Sequence, residues 1–145
     1  MFQLENVFVD IDLSTQEEVF TFLADHAYSH GTITNKEEFI QVLWNREKET
    51  TTGFGNHIAI PHARSNCVKN VDVMLCRLDK DIEWNALDGK GVSLIIALMT
   101  PEDAGEIHLR MLSKLARLLM HDDFTNRLKK GTKNEIYNMI QAVIQ

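Results

Sequence analysis

Two histidines, one arginine and a run of threonines carry the chemistry this chain could do. His62 directly follows Pro61, at the end of the apolar run Ile58-Ala59-Ile60. Proline has no N–H and a fixed φ, so it stops that strand and leaves His62 at a strand end on a stiff backbone. A functional group held in this way loses little entropy when it reacts. His108 shares a helical stripe with Met111, Leu112, Leu115 and Leu119, which faces it inward in the first turn of a helix starting near Glu106. The positive end of a helix disfavours an imidazolium and favours an anion. A neutral His108 could therefore donate one N–H to an incoming phosphate. The same spacing also suits a core histidine with one satisfied hydrogen bond. Arg46 sits about one turn before the Thr51-Thr52-Gly53 loop, where it is either an anion ligand or a solvated helix residue. Thr52 is either a working hydroxyl or part of a turn.

The other histidines open a second chemistry. His57 lies five residues before His62, and a metal hydrolase built on His57, His62 and His108 is one reading, which the zinc content of the purified protein would test. Against it, five residues of extended backbone put His57 and His62 on opposite faces, and no cysteine or acidic partner lies near. His26, His30 and His121 fit surface helix positions. Cys67 and Cys76 form no CxxC pair and read as packing residues. With no signal peptide and no apolar run of membrane length, a reduced, cytoplasmic setting is expected, without membrane insertion. The net charge of −6 argues against nucleic acid or an anionic membrane as partner.

The elements that must position these groups follow from periodicity. A strand is expected over Asn6–Ile11. A helix follows it, capped by Ser14 with Glu17 and stopped by Gly31. Thr34 or Asn35 caps a second helix running to about Glu49. Gly53 and Gly55 allow positive φ and close backbone approach. Val71–Leu78 and Val92–Met99 are strands apolar on both faces, with a short strand around Ile82 and Trp84 between them and Pro101 ending the last. The final third is helical, first from about Glu106 and then from a capping box at Thr132 and Glu135. With 145 residues, 44% of them apolar, and no repeat or linker, the chain reads as α/β: a single domain over residues 1–145, a mixed β-sheet with helices packed on both faces.

Arg46-Glu47, then Thr51-Thr52-Gly53-Phe54-Gly55, then Ile58-Ala59-Ile60-Pro61-His62 resemble the signature of the fructose/mannitol-type enzyme IIA domains of the bacterial phosphotransferase system. Trp84-Asn85-Ala86-Leu87-Asp88-Gly89, and Glu106-Ile107-His108-Leu109 leading into Leu112–Leu119, resemble the fructose-type branch. The likeness runs from Ser14 to Leu128. It implies a phosphohistidine carrier, a single enzyme IIA domain without cofactor or metal. His62 would accept a phosphoryl group from the histidine-containing phosphocarrier protein and pass it to a cysteine of enzyme IIB. A membrane permease, enzyme IIC, would then serve indirectly to take up a fructose-like hexose or hexitol. In that scheme Arg46 stabilises the phosphate, Thr52 orients the His62 ring through its hydroxyl, and His108 holds the phosphoryl oxygens. Arg64 stays outside the core site as a surface charge. His57 departs from the family pattern, which favours a small or flexible residue there. An apolar docking patch around His62, with Phe54 in it, is also expected. The alternative is a regulatory relative of the nitrogen type, whose phosphorylation state controls partner proteins.

Overall fold

The computed structural model describes residues 2–144. Its sheet is organised on the strand Val92–Pro101 (β6), whose apolar run from Leu94 to Met99 lets it be covered on both faces. In chain order the elements before it are β1 (Val7–Ile11), α1 (Gln16–Ser29), α2 (Lys36–Glu49), β2 (Gly53–Gly55), β3 (Ile58–Ala59), β4 (His62–Ser65) and β5 (Asp72–Ile82). After it come α3 (Gly105–Leu118), α4 (Asp122–Lys130) and α5 (Lys133–Ile144). The strand order is β1-β5-β6-β3-β2, with β4 also paired to β6. β1 runs parallel to β5, and β5 antiparallel to β6. β3 and β4 run parallel to β6, and β2 antiparallel to β3.

Alternation along β6 divides the core. Ile95, Ala97 and Met99 face α1 and α2 with Phe20, Leu23, Phe39 and Leu43. Leu94, Ile96 and Leu98 face the C-terminal helices with Met111, Leu115, Leu128, Ile136 and Ile140. Helices thus cover both faces of a mixed sheet, as the periodicity implies. Among the described residues no helix is long and apolar enough to cross a membrane. Cys67 and Cys76 are buried and unpaired, and burial pushes the Cys76 thiol up to about 12, as suits a packing residue.

Several local expectations shift. The cap of α1 is Thr15, which accepts from the Glu18 N–H at 3.1 Å, one residue later than the Ser14 and Glu17 pairing. Ile82 ends β5, so it forms no separate strand with Trp84. The last third holds a further helix, α4, with His121 at its N-cap position. His26 is half-buried: its Nε2 lies 3.0 Å from Asn6 Oδ1 and its ring packs edge-on against Phe8. The Asn35 cap of α2 and the Thr132–Glu135 box stand as read.

Pro61 does interrupt the strand, since β3 ends at Ala59 and β4 begins at His62, but the ladder resumes in the same register. Ile58 pairs with Leu94 and His62 with Leu98, so the offset against β6 is the same on both sides of the proline. The Pro61 carbonyl accepts from the Leu98 N–H at 3.0 Å, and only the donor that proline lacks is missing. β3 and β4 form one interrupted edge, with His62 as the first residue of its second half. The turn ahead of this edge has φ of 56° at Asn56 and 66° at His57, the left-handed pair that a tight hairpin requires and that favours small residues. His57 tolerates it with its ring anchored. Nδ1 lies 3.1 Å from the Gly91 carbonyl and 3.1 Å from Asp81 Oδ2, so an acidic partner is present after all.

Candidate functional site

In β4, His62 and Arg64 point to one side, and across the ladder they lie beside Leu98 and Thr100 of β6. That side faces α3. β4 pairs only with β6, so its outer edge is open where the C-terminal turn of α2 brings Arg46. The site therefore sits at the C-terminal end of β6, between the last turn of α2 and the first turn of α3.

Arg46 Nε donates to His62 Nε2 at 2.9 Å, and its Nη1 donates to the Thr50 carbonyl at 2.8 Å. A guanidinium only donates, so Nε2 must be the bare nitrogen of the ring. Nδ1 then carries the proton and donates to the Ile60 carbonyl at 2.9 Å. Burial lowers the His62 pKa from 6.5. The Ile60 carbonyl opposes this, Arg46 reinforces it, and Glu47 and Glu49 oppose it more weakly. The result is a neutral imidazole with a fixed tautomer and a lone pair aimed at a cation.

His108 is buried, and its ring centre lies 5.2 Å from that of His62. Its Nδ1 is 2.6 Å from Oγ1 of the fully buried Thr100. In the tautomer in which Thr100 donates, Nε2 on the other side of the His108 ring carries the proton and can donate to a ligand. Burial first, then His62, Arg64 and Arg46, push His108 down to about 4. Below pH 6.5 the unfolded chain gains a proton here that the folded chain does not, so stability drains away as the pH falls from 6.5 towards 4. The expected share of His108 is on the order of 2–3 kcal/mol. Denaturant titrations between pH 7 and pH 4 should show a steeper loss for the wild type than for His108→Gln. Equal slopes would mean that His108 is not held neutral.

Thr52 does not orient His62. Its single O–H donates to Glu47 Oε1 at 2.6 Å, and its oxygen accepts from the Trp84 indole N–H at 3.2 Å. The Ile60 carbonyl holds the ring instead. Glu47 also accepts from the Thr52 N–H at 2.8 Å and from the Thr51 hydroxyl at 3.2 Å, which ties the loop after α2 to the helix carrying Arg46. Gly53 is needed in that loop because a Cβ there would lie 2.6 Å from the Ala86 backbone. Phe54 is half-buried against the core on the α3 side, and Ile107 and Leu109, flanking His108, are the exposed apolar groups of the first turns of α3.

Sequence reasoning thus locates His62, His108 and Arg46, which the structure brings together. It overlooks Thr100 and Glu47 as a loop clamp, and it leaves outside the site Arg64, which lies on the same side as His62. Only Arg64 had a readable signal, its position two residues after His62 on a strand. Among the described residues no cluster of three or more His, Cys, Asp or Glu side chains could hold a metal ion.

Known proteins share this arrangement of chain. The family described as "Phosphoenolpyruvate-dependent sugar phosphotransferase system, EIIA 2" matches residues 1–143. A fructose-like EIIA component of Escherichia coli is 33% identical over 138 residues, covering 92% of this chain and 93% of its own. A nitrogen regulatory protein of Pseudomonas aeruginosa is 41% identical over 100 residues, covering 68% of this chain and 64% of its own. The crystal structure of the nitrogen regulatory protein IIA-Ntr from Neisseria meningitidis superposes with a TM-score of 0.89 at 28% identity, covering 96% of this chain and 95% of that one. The match over nearly the whole length, together with the full-length fructose-like relative, shows that the chain belongs to the EIIA 2 family of the phosphoenolpyruvate-dependent sugar phosphotransferase system.

Proposed function

We propose that this chain is a phosphohistidine relay domain that works through Nε2 of His62. The observation that carries the reading is the pair of hydrogen bonds on the His62 ring, with Ile60 holding the proton on Nδ1 and Arg46 marking the lone pair on Nε2. Nε2 attacks the phosphorus of a phosphohistidine on the histidine-containing phosphocarrier protein. The new N–P bond forms as the carrier's N–P bond breaks, and the bonding electrons return to the carrier's imidazole. No proton has to move, because Nδ1–H stays on Ile60 and stabilises the charged ring. Arg46 turns from the lone pair to the phosphoryl oxygens, and His108 donates to one of them from its Nε2–H. In the next step a cysteine thiolate of enzyme IIB attacks the phosphorus, the S–P bond forms as the His62 N–P bond breaks, and His62 leaves as neutral imidazole with its Nδ1–H.

The near full-length likeness to a fructose-like component favours sugar uptake in the cytoplasm, through enzyme IIB and a membrane enzyme IIC, with a fructose-like sugar. The higher identity over a shorter stretch to a nitrogen regulatory protein supports the second reading, a phosphorylation-dependent regulator. The test is incubation with phosphoenolpyruvate, enzyme I and the phosphocarrier, followed by mapping of acid-labile phosphate and 31P spectroscopy. Phosphate on Nε2 of His62 is the expected result, and phosphate on Nδ1, on another residue or nowhere rejects the relay. Adding enzyme IIB then separates the two readings, since a transport component empties onto its cysteine and a regulator retains its phosphate.

A further inference from the structure

We infer that Arg64 is a second guanidinium for the phosphoryl group, held in place because Gly105 has no side chain; this rests on the relay through His62. Strand alternation puts Arg64 on the side of His62, and the ladder sets it beside Thr100, the residue bonded to His108. Its guanidinium lies against the first residue of α3, where a Cβ built on Gly105 would collide with Nη1. The fields agree with this placement, since Arg64 is among the charges that depress the pKa of His108.

The position is electrostatically uncomfortable at rest. Among the described residues the Arg64 guanidinium has no carboxylate within ion-pair distance and no hydrogen bond. It also faces the positive end of α3 and shares the site with Arg46. Those three features oppose an empty site and favour one that holds a phosphoryl dianion, which two guanidinium groups and the helix end would then surround. Arg46 approaches from α2 and Arg64 from β4, so the two cations reach the group from different elements. Arg64 is exposed, so its Coulomb effect is screened and smaller than that of a buried donor.

The experiment measures phosphoryl acceptance by rapid quench and the 31P titration of the phosphorylated protein, for Arg64→Gln, Arg64→Lys, Gly105→Ala and the double variant Arg64→Gln/Gly105→Ala. Arg64→Gln should accept about tenfold more slowly and raise the pKa of the bound phosphoryl group, because a nearby cation favours the dianion. Arg64→Lys should recover part of both effects through its charge. Gly105→Ala should displace the guanidinium and behave like Arg64→Gln, and the double variant should be no slower than either single one. Should Gly105→Ala fail to fold, the Gln and Lys variants decide the matter alone. A slower transfer with an unchanged 31P titration would make Arg64 a docking residue and overturn the inference. Normal rates with a normal titration would overturn it too. A wild type that takes no phosphate on His62 would instead mark failure of the relay itself.

Discussion

His62→Ala should take up no acid-labile phosphate from the phosphorylated carrier, while unfolding at nearly the temperature of the wild type. The side chain is only half-buried at the start of β4, so its removal opens no core cavity and frees one N–H of Arg46 to water. Nothing nearby can replace it. His108 has its Nδ1 against Thr100 and is held neutral as a donor rather than presented as a nucleophile. Mass mapping after acid and base treatment reads the result, and any acid-labile phosphate on the variant would sink the assignment. In the wild type the acceptance rate should hold steady as the pH is lowered to 6.5 and then fall. The pKa of His62 is depressed, so the lone pair is lost only below the ordinary histidine range.

His108→Ala should slow onward transfer to enzyme IIB by about a hundredfold, the usual cost of losing one donor to a developing oxyanion. It should leave a measurable capacity for phosphorylation of His62. His108→Gln keeps an N–H donor and should fall between the alanine variant and the wild type. The difference in kind follows from the geometry: Nε2 of His62 forms the bond to phosphorus, whereas His108 acts only on the oxygens that gather charge as that bond forms and breaks. Rapid-quench transfer in both directions measures each effect. Phosphate found on His108, or normal transfer by the alanine variant, would show that the two histidines are not divided in this way.

Much of this architecture was legible because the strongest signals were local. The apolar runs of β5 and β6, the helical stripe through His108, the Asn35 cap and the Thr132–Glu135 box each need only a few neighbouring residues. The errors arose where a distant partner decided the outcome. Thr52 looks like a ligand to a histidine ten residues on, but its hydroxyl is taken by Glu47 behind it and by Trp84 from another loop. Thr100 reads as the last polar residue before a proline, and only the return of α3 gives it a histidine to hold. His26 sits on a helix face that periodicity leaves to solvent, yet the buried Asn6 from ahead of β1 reaches it. For α4 the cause is different: it is only nine residues long with two large apolar side chains, Phe124 and Leu128, so its period has too few repeats to stand out beside the long stripe of α3.

The unbroken offset of β3 and β4 against β6 has a consequence for how this chain can vary. Side chains on an extended edge change sides with every residue. Deleting or inserting one residue between Ala59 and His62 while Ile58 and Ala59 keep their ladder slots would shift the chain after them by one and therefore turn the imidazole from the α3 side to the α1 and α2 side, away from His108. Spacing in this segment is thus under a parity constraint. Residue identity at Ile60 can drift among apolar types as long as its carbonyl remains, but the count of residues cannot change by one. The nucleophile is placed by counting along a strand rather than by the shape of a loop.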